Sequence, residues 1–399
     1  MTSSPISRRG AVEPFHVMEL LKAANERGRT HGDVITMCAG QPSTPAPRAV
    51  REAATRALAT NDPFGYTDAL GVAALRETIG RHYGEAYGIE VDPATVAVTT
   101  GSSAAFTAIF LAAFDSGDTV VMTRPGYPAY RNTLQALGCR PVELDCGPQV
   151  RFQPTLAMLA EWSAEHGIPK GLIIASPANP TGTVIAAAEL AAIATWCEEH
   201  GVLLISDEIY HGITYGTDAS CAWRTSRAGV VVGSLSKYYS MTGWRVGWAL
   251  LPPPLVRPVE LLLGNLNICA PALAQVAAVE AFGPEAKVEL DGHVRRYATN
   301  RDLVLSRLPE LGVRTWAPAD GAFYAYGDIA HLTGDSLTWC REVLDATGVA
   351  LTPGIDFAPH AVQVDSPLDG SRWFRLSFAG STADCDEAMS RLAAYTAAR

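Results

Sequence analysis

Short, almost uninterrupted apolar runs, each followed by a polar or Gly/Pro-marked turn, recur along the chain and constrain its fold most. Runs of this length are typical of strands in a sheet that is buried on both faces. We predict strands at Thr95–Thr100, Thr119–Thr123, Gly171–Ala175, Val202–Ser206, Val230–Gly233 and Val246–Leu251. Helical stretches between several of them, such as Ala187–His200, indicate βαβ crossovers. The sequence therefore predicts an α/β fold with a mostly parallel sheet.

The pattern changes near Pro284, and the two ends of the chain predict a second, smaller unit. Its predicted elements are an amphipathic helix Phe15–Arg27, a long helix Lys287–Leu308 and strands at 321–326 and 372–379. We predict a large domain at 46–285 and a small α+β domain formed by 1–45 and 286–399. Ligands of open parallel sheets bind beyond the carboxyl ends of the strands, so the polar turns of the large domain should converge there.

Charge and cysteine usage exclude several classes of protein. The chain has 41 acidic and 31 basic residues, and this acidic balance gives no electrostatic basis for binding nucleic acid or an anionic membrane. Its 8 cysteines have no metal-ligand spacing, so we expect reduced thiols and no metal site. No signal peptide is recognisable, and no apolar run reaches the roughly 18 residues of a spanning helix. We therefore expect a cytoplasmic protein.

Lys237 is the candidate catalytic residue, because lysine is rare in this chain and this one follows a predicted buried strand. Desolvation lowers the pKa of a lysine and makes its amine a nucleophile toward carbonyls. Ser234 and Ser236 before it and Arg245 after it could hold a phosphate, which suggests a Schiff base to pyridoxal 5′-phosphate. A surface lysine is the commoner alternative. The S-x-x-K nucleophile of penicillin-binding enzymes is disfavoured, because the accompanying S-D-N and K-T-G motifs are missing.

Other polar residues at strand ends have both a chemical and a structural interpretation. Asp207 could pair with a protonated pyridine nitrogen, or it could cap a helix. Tyr210 could donate to a ring phenolate oxygen, and Tyr127 could stack on a planar ring, although both could simply pack. Asn179 lies in a turn, where asparagine is common without any role in binding. Arg375 suits a substrate carboxylate, but an arginine is more often a salt-bridge partner.

The order of these motifs resembles that of the class I/II aminotransferases among the fold-type I pyridoxal-phosphate enzymes. The resemblance extends from residue 14 to Arg375, and its most specific pieces are SPANPTG, SDEIY and GSLSKYYSMTGWRVGW. It implies that Lys237 carries the cofactor and later moves a proton, while Asp207 pairs with the pyridine nitrogen. The other implied cofactor contacts are Tyr210, Asn179, Tyr127, Ser102, Ser103, Ser234, Ser236 and Arg245. The implied substrate contacts are Arg375 on the α-carboxylate, with Gly40 and Asn179 nearby.

The same resemblance implies a homodimer, because Tyr66 matches a tyrosine that reaches the phosphate in the neighbouring subunit. Some aspartate-using relatives carry a lysine where this chain has Ser103, so recognition of a side-chain carboxylate is doubtful. Phe15, Cys38 and Tyr324 could form an apolar or aromatic pocket wall. We therefore expect transamination of a neutral, apolar or aromatic L-amino acid, with 2-oxoglutarate or pyruvate as the acceptor.

Two other functions remain open at the level of the sequence. A pyridoxal-phosphate lyase of the β C–S type would use the same cofactor site, because substrate orientation decides which bond breaks. A non-catalytic, ligand-sensing domain of a transcription regulator is disfavoured. Such proteins carry a basic DNA-binding module ahead of the domain, whereas this chain is acidic and has only about forty residues before the core.

Overall fold

The computed structural model describes residues 6–359 and 366–398, which form twelve α-helices and twelve strands. The helices are α1 His16–Thr30, α2 Arg48–Leu58, α3 Ala73–Tyr87, α4 Gly101–Ala113, α5 Pro128–Leu137, α6 Leu156–His166, α7 Ala187–Glu199, α8 Pro253–Leu266, α9 Ala272–Ala278, α10 Pro284–Arg307, α11 Ser336–Thr347 and α12 Thr382–Ala397. The strands are β1 Ile35–Thr36, β2 Val96–Thr99, β3 Thr119–Arg124, β4 Arg140–Asp145, β5 Gly171–Ala175, β6 Leu203–Asp207, β7 Val230–Ser234, β8 Gly247–Leu250, β9 Tyr324–Asp328, β10 Val349–Ala350, β11 Thr352–Pro353 and β12 Trp373–Ser377.

A seven-stranded sheet in the order β2-β8-β7-β6-β5-β3-β4 forms the centre of the molecule. Only β8 runs antiparallel to its neighbours in this sheet, so the expectation of a mostly parallel sheet is confirmed. Both faces are buried: Leu172 and Leu204 face one apolar core, whereas Ile173 and Ile205 face the other. Successive side chains of a strand point to opposite faces, which explains why these strands are apolar throughout.

The central strands end together at one edge of this sheet. β5, β6 and β7 are parallel neighbours, and Ala175 at the end of β5 is in register with Asp207 at the end of β6. β7 ends at Ser234, three residues before Lys237. The sheet therefore presents Asp207 and the Lys237 turn side by side.

A second sheet, in the order β11-β12-β9, is antiparallel and carries Arg375 in its middle strand. The N-terminal segment joins this part of the molecule, because β1 pairs with β10 and the amide of Ser377 donates to the carbonyl of Met37 at 2.7 Å. Cys38 and Gly40 follow directly in the chain and so reach the same region as Arg375. The division of the chain at 46–285 stays a prediction.

The six predicted strands of the large sheet are all present, with ends that differ by a residue or two. β4 was not predicted, because its sequence RPVELD mixes charged and apolar residues and the strand lies at the sheet edge, partly exposed. Among the described residues, no helix is long and apolar enough to cross a membrane, and no cluster of three or more His, Cys, Asp or Glu side chains could hold a metal ion.

Candidate active site

Lys237 lies in the turn after β7, where its side chain is largely surrounded by protein. Its Nζ donates a hydrogen bond of 2.6 Å to the carbonyl of Gly40, which the N-terminal segment supplies. Desolvation, together with the positive charges of Arg375 and Arg245, lowers the pKa of the amine to about 8, although Asp207 opposes the shift. A lysine in this state deprotonates near neutral pH, as a nucleophilic or proton-transferring amine requires.

Asp207 is buried at the end of β6 and its carboxylate is held on both oxygens. Oδ1 accepts from the amide of Ile209 at 3.1 Å, and Oδ2 accepts a short hydrogen bond from the hydroxyl of Tyr130. Burial raises the pKa of Asp207 to about 6, while these two hydrogen bonds oppose the shift. Tyr130 was not among the residues predicted from the sequence. The signal was available, because Tyr130 follows Tyr127 by three residues at the start of a helix, and residues at this spacing share one face.

Tyr210 and Tyr324 form a hydroxyl pair beside the lysine. Their hydroxyl oxygens are 2.5 Å apart, and the Nζ of Lys237 is 5.7 Å from the centre of the Tyr210 ring. Burial raises the pKa of Tyr210 well above its ordinary value, so its hydroxyl stays protonated and able to donate. The Tyr324 hydroxyl also fills the space that a side chain at Gly40 would need. Glycine at position 40 therefore lets the N-terminal segment pass close to Tyr324.

Arg375 is buried in the middle of the antiparallel sheet and oriented by five neighbouring residues. The acceptors of its guanidinium are Oδ1 of Asn179 at 2.8 Å, the carbonyl of Cys38 at 2.5 Å and Oγ1 of Thr352 at 3.1 Å. Its Cζ lies 4.4 Å from the centre of the Tyr324 ring and 4.9 Å from that of Phe357. No carboxylate is among these partners. These contacts leave the guanidinium without a carboxylate partner, as binding a substrate carboxylate requires.

The N-terminus of α4 and Arg245 form a cradle suited to an anion. The α4 N-cap, Thr100, makes no side-chain hydrogen bond to the first helical amides, so those of Ser102 and Ser103 are available to a ligand. The guanidinium of Arg245 covers Gly101 so closely that a Cβ at this position would collide with it. A Cβ at Gly247 would likewise meet the amide nitrogen of Ser102 at 2.6 Å. Because Gly101 and Gly247 have no side chains, the N-terminus of α4, the guanidinium of Arg245 and strand β8 can lie close together.

The remaining residues predicted from the sequence are Ser234, Ser236, Tyr127 and Tyr66. Ser234 and Ser236 are buried at the end of β7, and Oγ of Ser234 accepts from the amide of Ser236 at 3.1 Å. Tyr127 packs edge-on against Phe15, with ring centres 5.9 Å apart, and burial, together with the charge of nearby Asp207, raises its pKa to about 12. Tyr66 is 83% exposed and is not brought to this site within the chain.

Comparison with known proteins decides which family has this arrangement. The family model for aminotransferase class I and II matches residues 32–392. The chain belongs to the class I and II aminotransferase family. A valine–pyruvate aminotransferase of Mycobacterium tuberculosis is 52% identical over 98% of both chains.

Solved structures agree with this assignment. The crystal structure of an aminotransferase from Mycobacterium tuberculosis has a TM-score of 0.94 with this chain, at 51% identity and over 100% of both chains. An aspartate aminotransferase from Thermus thermophilus, solved with maleate, has a TM-score of 0.89 at 29% identity, covering 98% of this chain and 100% of its own. The fold-type I architecture is therefore confirmed, and this aminotransferase is an enzyme that transfers amino groups between amino acids and 2-oxo acids.

Members of the family generally use pyridoxal phosphate, and the residues of this aminotransferase fit that cofactor. The amine of Lys237 can react with an aldehyde, the carboxylate of Asp207 can pair with a ring nitrogen, and the Arg245 cradle can take a phosphate. When bound, pyridoxal phosphate supplies a ring that stabilises negative charge at the substrate α-carbon. The protein must then orient the α-carboxylate and move the α-proton, and Arg375 and Lys237 are the candidates for these two tasks.

Proposed function

We propose that this aminotransferase transfers the amino group of a neutral, apolar L-amino acid, with valine as the first candidate, to pyruvate or a similar 2-oxo acid. Pyridoxal phosphate on Lys237 is the proposed cofactor. Identity of 52% over nearly the full length with a valine–pyruvate aminotransferase supports this substrate class. Relatives at 30% identity include aspartate aminotransferases. The charges of the site must therefore distinguish an apolar donor from aspartate.

The arrangement of positive charges around Lys237 favours an apolar amino-acid donor. In the described part of the chain, two cations act on the amine of Lys237, namely Arg375 and Arg245. Arg375 is assigned to the substrate α-carboxylate and Arg245 to the cofactor phosphate, so neither is left for a second carboxylate. Arg131, on the same helix as Tyr130, is paired with Glu143 at 2.7 Å. Within one subunit, a dicarboxylic donor would therefore bury its distal charge without a partner, which is costly.

The proposed division of labour assigns one task to each group. Arg375 binds the α-carboxylate, and Asn179, which already accepts from Arg375, orients the guanidinium and the ring oxygen of the cofactor. Lys237 takes the proton from the α-carbon as a general base, because its lowered pKa leaves much of the amine neutral near pH 8. With the cofactor bound, Asp207 would keep the ring nitrogen protonated, Tyr210 would donate to the ring oxygen, and Tyr127 would stack on the ring.

We also propose a homodimer in which Tyr66 reaches the phosphate of the neighbouring subunit. Tyr66 is exposed, and so are Leu266 and Ile268, at 52% and 46% of their surface. The two segments are tied together, because the amide of Thr67 donates to Sγ of Cys269 at 3.5 Å. Exposed apolar side chains grouped in this way are typical of a protein interface.

The cytoplasm is the proposed location. All eight cysteines are free thiols in the structure, including Cys139 and Cys269. Disulfide-free chains of this size are typical of reducing compartments.

A panel of donors and acceptors tests the proposed function. The purified, cofactor-loaded protein is given valine, leucine, phenylalanine, alanine or aspartate with either pyruvate or 2-oxoglutarate, and the new amino acid is measured. We expect kcat/KM for valine with pyruvate to exceed that for aspartate with 2-oxoglutarate by about 100-fold, the effect of one unpaired buried charge. A preference for aspartate would contradict the proposal. Lys237→Ala serves as the inactive control, and pyruvate formed from a β-substituted donor without any acceptor would indicate a lyase instead.

A further inference from the structure

A cavity separate from the proposed substrate contacts is lined by α3, the start of α10 and the turns after β6 and β7. Its volume is about 300 Å³, at the lower end of the range of small-molecule sites. Its walls are mainly aromatic, including Tyr83, Tyr87, Tyr239, Trp248 and Phe282. Their rings already pack against one another, for example Tyr239 on Phe282 at 4.9 Å between centres, so the walls are preformed.

Glu208 supplies a polar group to this aromatic cavity. Its side chain is 2% exposed, and Oε1 accepts from Ser206 at 3.0 Å and from the amide of Ala222 at 2.8 Å. Oε2 has no hydrogen-bond partner among the described residues; Nδ1 of His211 lies 3.5 Å from it, and the thiol of Cys221 also acts on this carboxyl group. A buried oxygen without a donor is costly, so a ligand that donates a hydrogen bond there gains affinity.

The buried polar groups of the cavity provide no full charge near neutral pH, where both imidazoles are neutral and the Glu208 carboxyl is about half ionised. Burial raises the pKa of Glu208 to about 7, and burial lowers the pKa of His211 to about 3 and that of His82 to about 4. Lys287, at the mouth, is paired with Asp291 at 2.8 Å. These states favour an uncharged ligand, because a charged one would find no full counter-charge inside.

The cavity is lined by residues that are adjacent in sequence to the two proposed catalytic residues. Glu208 follows Asp207 directly, Tyr238 follows Lys237 directly, and both line the cavity. Ser234, a proposed phosphate contact, lines it as well. A molecule in the cavity would thus press on the residues next to both catalytic groups without contacting the substrate.

We propose that this cavity is a regulatory site for a small, uncharged aromatic molecule that carries one hydroxyl or N–H donor. The ring would pack among the aromatic walls, and the donor would bond Oε2 of Glu208. Because the site contacts the neighbours of Asp207 and Lys237, occupancy should change kcat more than KM.

Indole and phenol are suitable probes, with benzene as the matched ring that lacks a donor. Calorimetry on the cofactor-loaded enzyme, with and without saturating pyruvate, measures their binding. Ala281→Leu fills the cavity from its inner wall, and Ala86→Trp obstructs the exposed mouth without touching the core. Ala160→Trp, on an exposed face of α6, is the control for added surface bulk.

We expect one indole per chain, with a dissociation constant that pyruvate leaves unchanged and that rises about tenfold or more in Ala281→Leu or Ala86→Trp. Benzene should bind more weakly than indole or phenol, because it leaves Oε2 of Glu208 unpaired. Absence of saturable binding would overturn the proposal, as would binding that both cavity variants leave intact or that pyruvate displaces. Binding that leaves kcat unchanged would refute the regulatory role. Since binding is measured directly, these outcomes do not depend on which amino donor the enzyme prefers.

Discussion

Lys237 shows how a candidate catalytic residue reduces the stability of the folded chain. Its pKa in the folded protein is about 8, against 10.5 for an ordinary lysine, so the charged amine is disfavoured by the fold. This cost is fully present below pH 8 and disappears as the pH rises toward 10.5, because the folded chain has then released the proton that the unfolded chain still binds. We expect the cofactor-free Lys237→Met variant to be more stable than the cofactor-free wild type by about 2 kcal/mol near pH 7.

Urea unfolding of both cofactor-free proteins at pH 7 and pH 10 measures this difference. The gain should shrink markedly at pH 10. The matched control is Lys170→Met, since Lys170 is exposed and its replacement should have the same small effect at both pH values. A gain for Lys237→Met that does not depend on pH would mean that packing, and not the buried charge, is its cause.

Tyr130 is expected to position and ionise Asp207. Its hydroxyl bonds Oδ2 of that carboxylate, and this bond lowers the pKa of Asp207 against the effect of burial. In Tyr130→Phe the pKa of Asp207 should rise, so the acid limb of the pH–activity profile should move to higher pH. We expect kcat/KM near neutral pH to fall about tenfold, in line with one hydrogen bond to a charged group.

The comparison for this variant is Tyr326→Phe, which alters another buried tyrosine in the antiparallel sheet. Its acid limb should stay in place. An unshifted acid limb in Tyr130→Phe would show that the hydroxyl is structural only.

The anion cradle at the N-terminus of α4 depends on Gly101, the first residue of that helix. Gly101 has a φ of +73°, and the guanidinium of Arg245 occupies the space beside its Cα. Gly101→Ala should lower stability by about 1 kcal/mol through the backbone and should also displace Arg245. Affinity for pyridoxal phosphate is expected to fall about tenfold or more, as measured by titrating the cofactor-free protein.

Gly117 provides the matched control for this change. Its φ is +95°, and nothing lies within 4 Å of the place where a Cβ would stand. Gly117→Ala should therefore show the same loss of stability and unchanged cofactor affinity. Equal affinities of the two variants for pyridoxal phosphate would show that Gly101 does not contribute to the cradle.

The elements also show why part of this site could be predicted and part could not. Asp207 and Lys237 follow apolar strands, so the sequence alone placed them at one edge of the sheet. Local sequence carries no comparable signal for the contact between Gly40 and Lys237, because it joins residues 197 positions apart. Thr352 beside Arg375 depends in the same way on the pairing of β11 with β12. Contacts of this kind arise from tertiary packing and not from periodicity.

At the scale of the whole molecule, the site is assembled from three distant parts of the chain. The parallel sheet supplies Asp207 and Lys237, the antiparallel sheet supplies Arg375, and the N-terminal segment supplies the carbonyls of Cys38 and Gly40 that bond the two cations. The N-terminal segment therefore holds both Lys237 and Arg375, although residues 38–40 belong to neither the parallel nor the antiparallel sheet. Tyr66 is exposed, and no contact in the described part of its own chain brings its ring to this site, so we propose that it acts in a second chain.

Subunit complementation tests whether Tyr66 acts in the neighbouring subunit. Tyr66→Ala and Lys237→Ala homodimers should each be impaired, the first about tenfold and the second almost completely. In a mixed dimer, the Tyr66→Ala chain keeps Lys237 and receives an intact Tyr66 from the Lys237→Ala chain, so one of its two sites is wild type. Purified mixed dimers, separated by two affinity tags, should recover about half of the wild-type kcat per dimer. If Tyr66 instead serves its own subunit, the mixed dimer has no complete site, and its activity will not exceed the mean of the two parents.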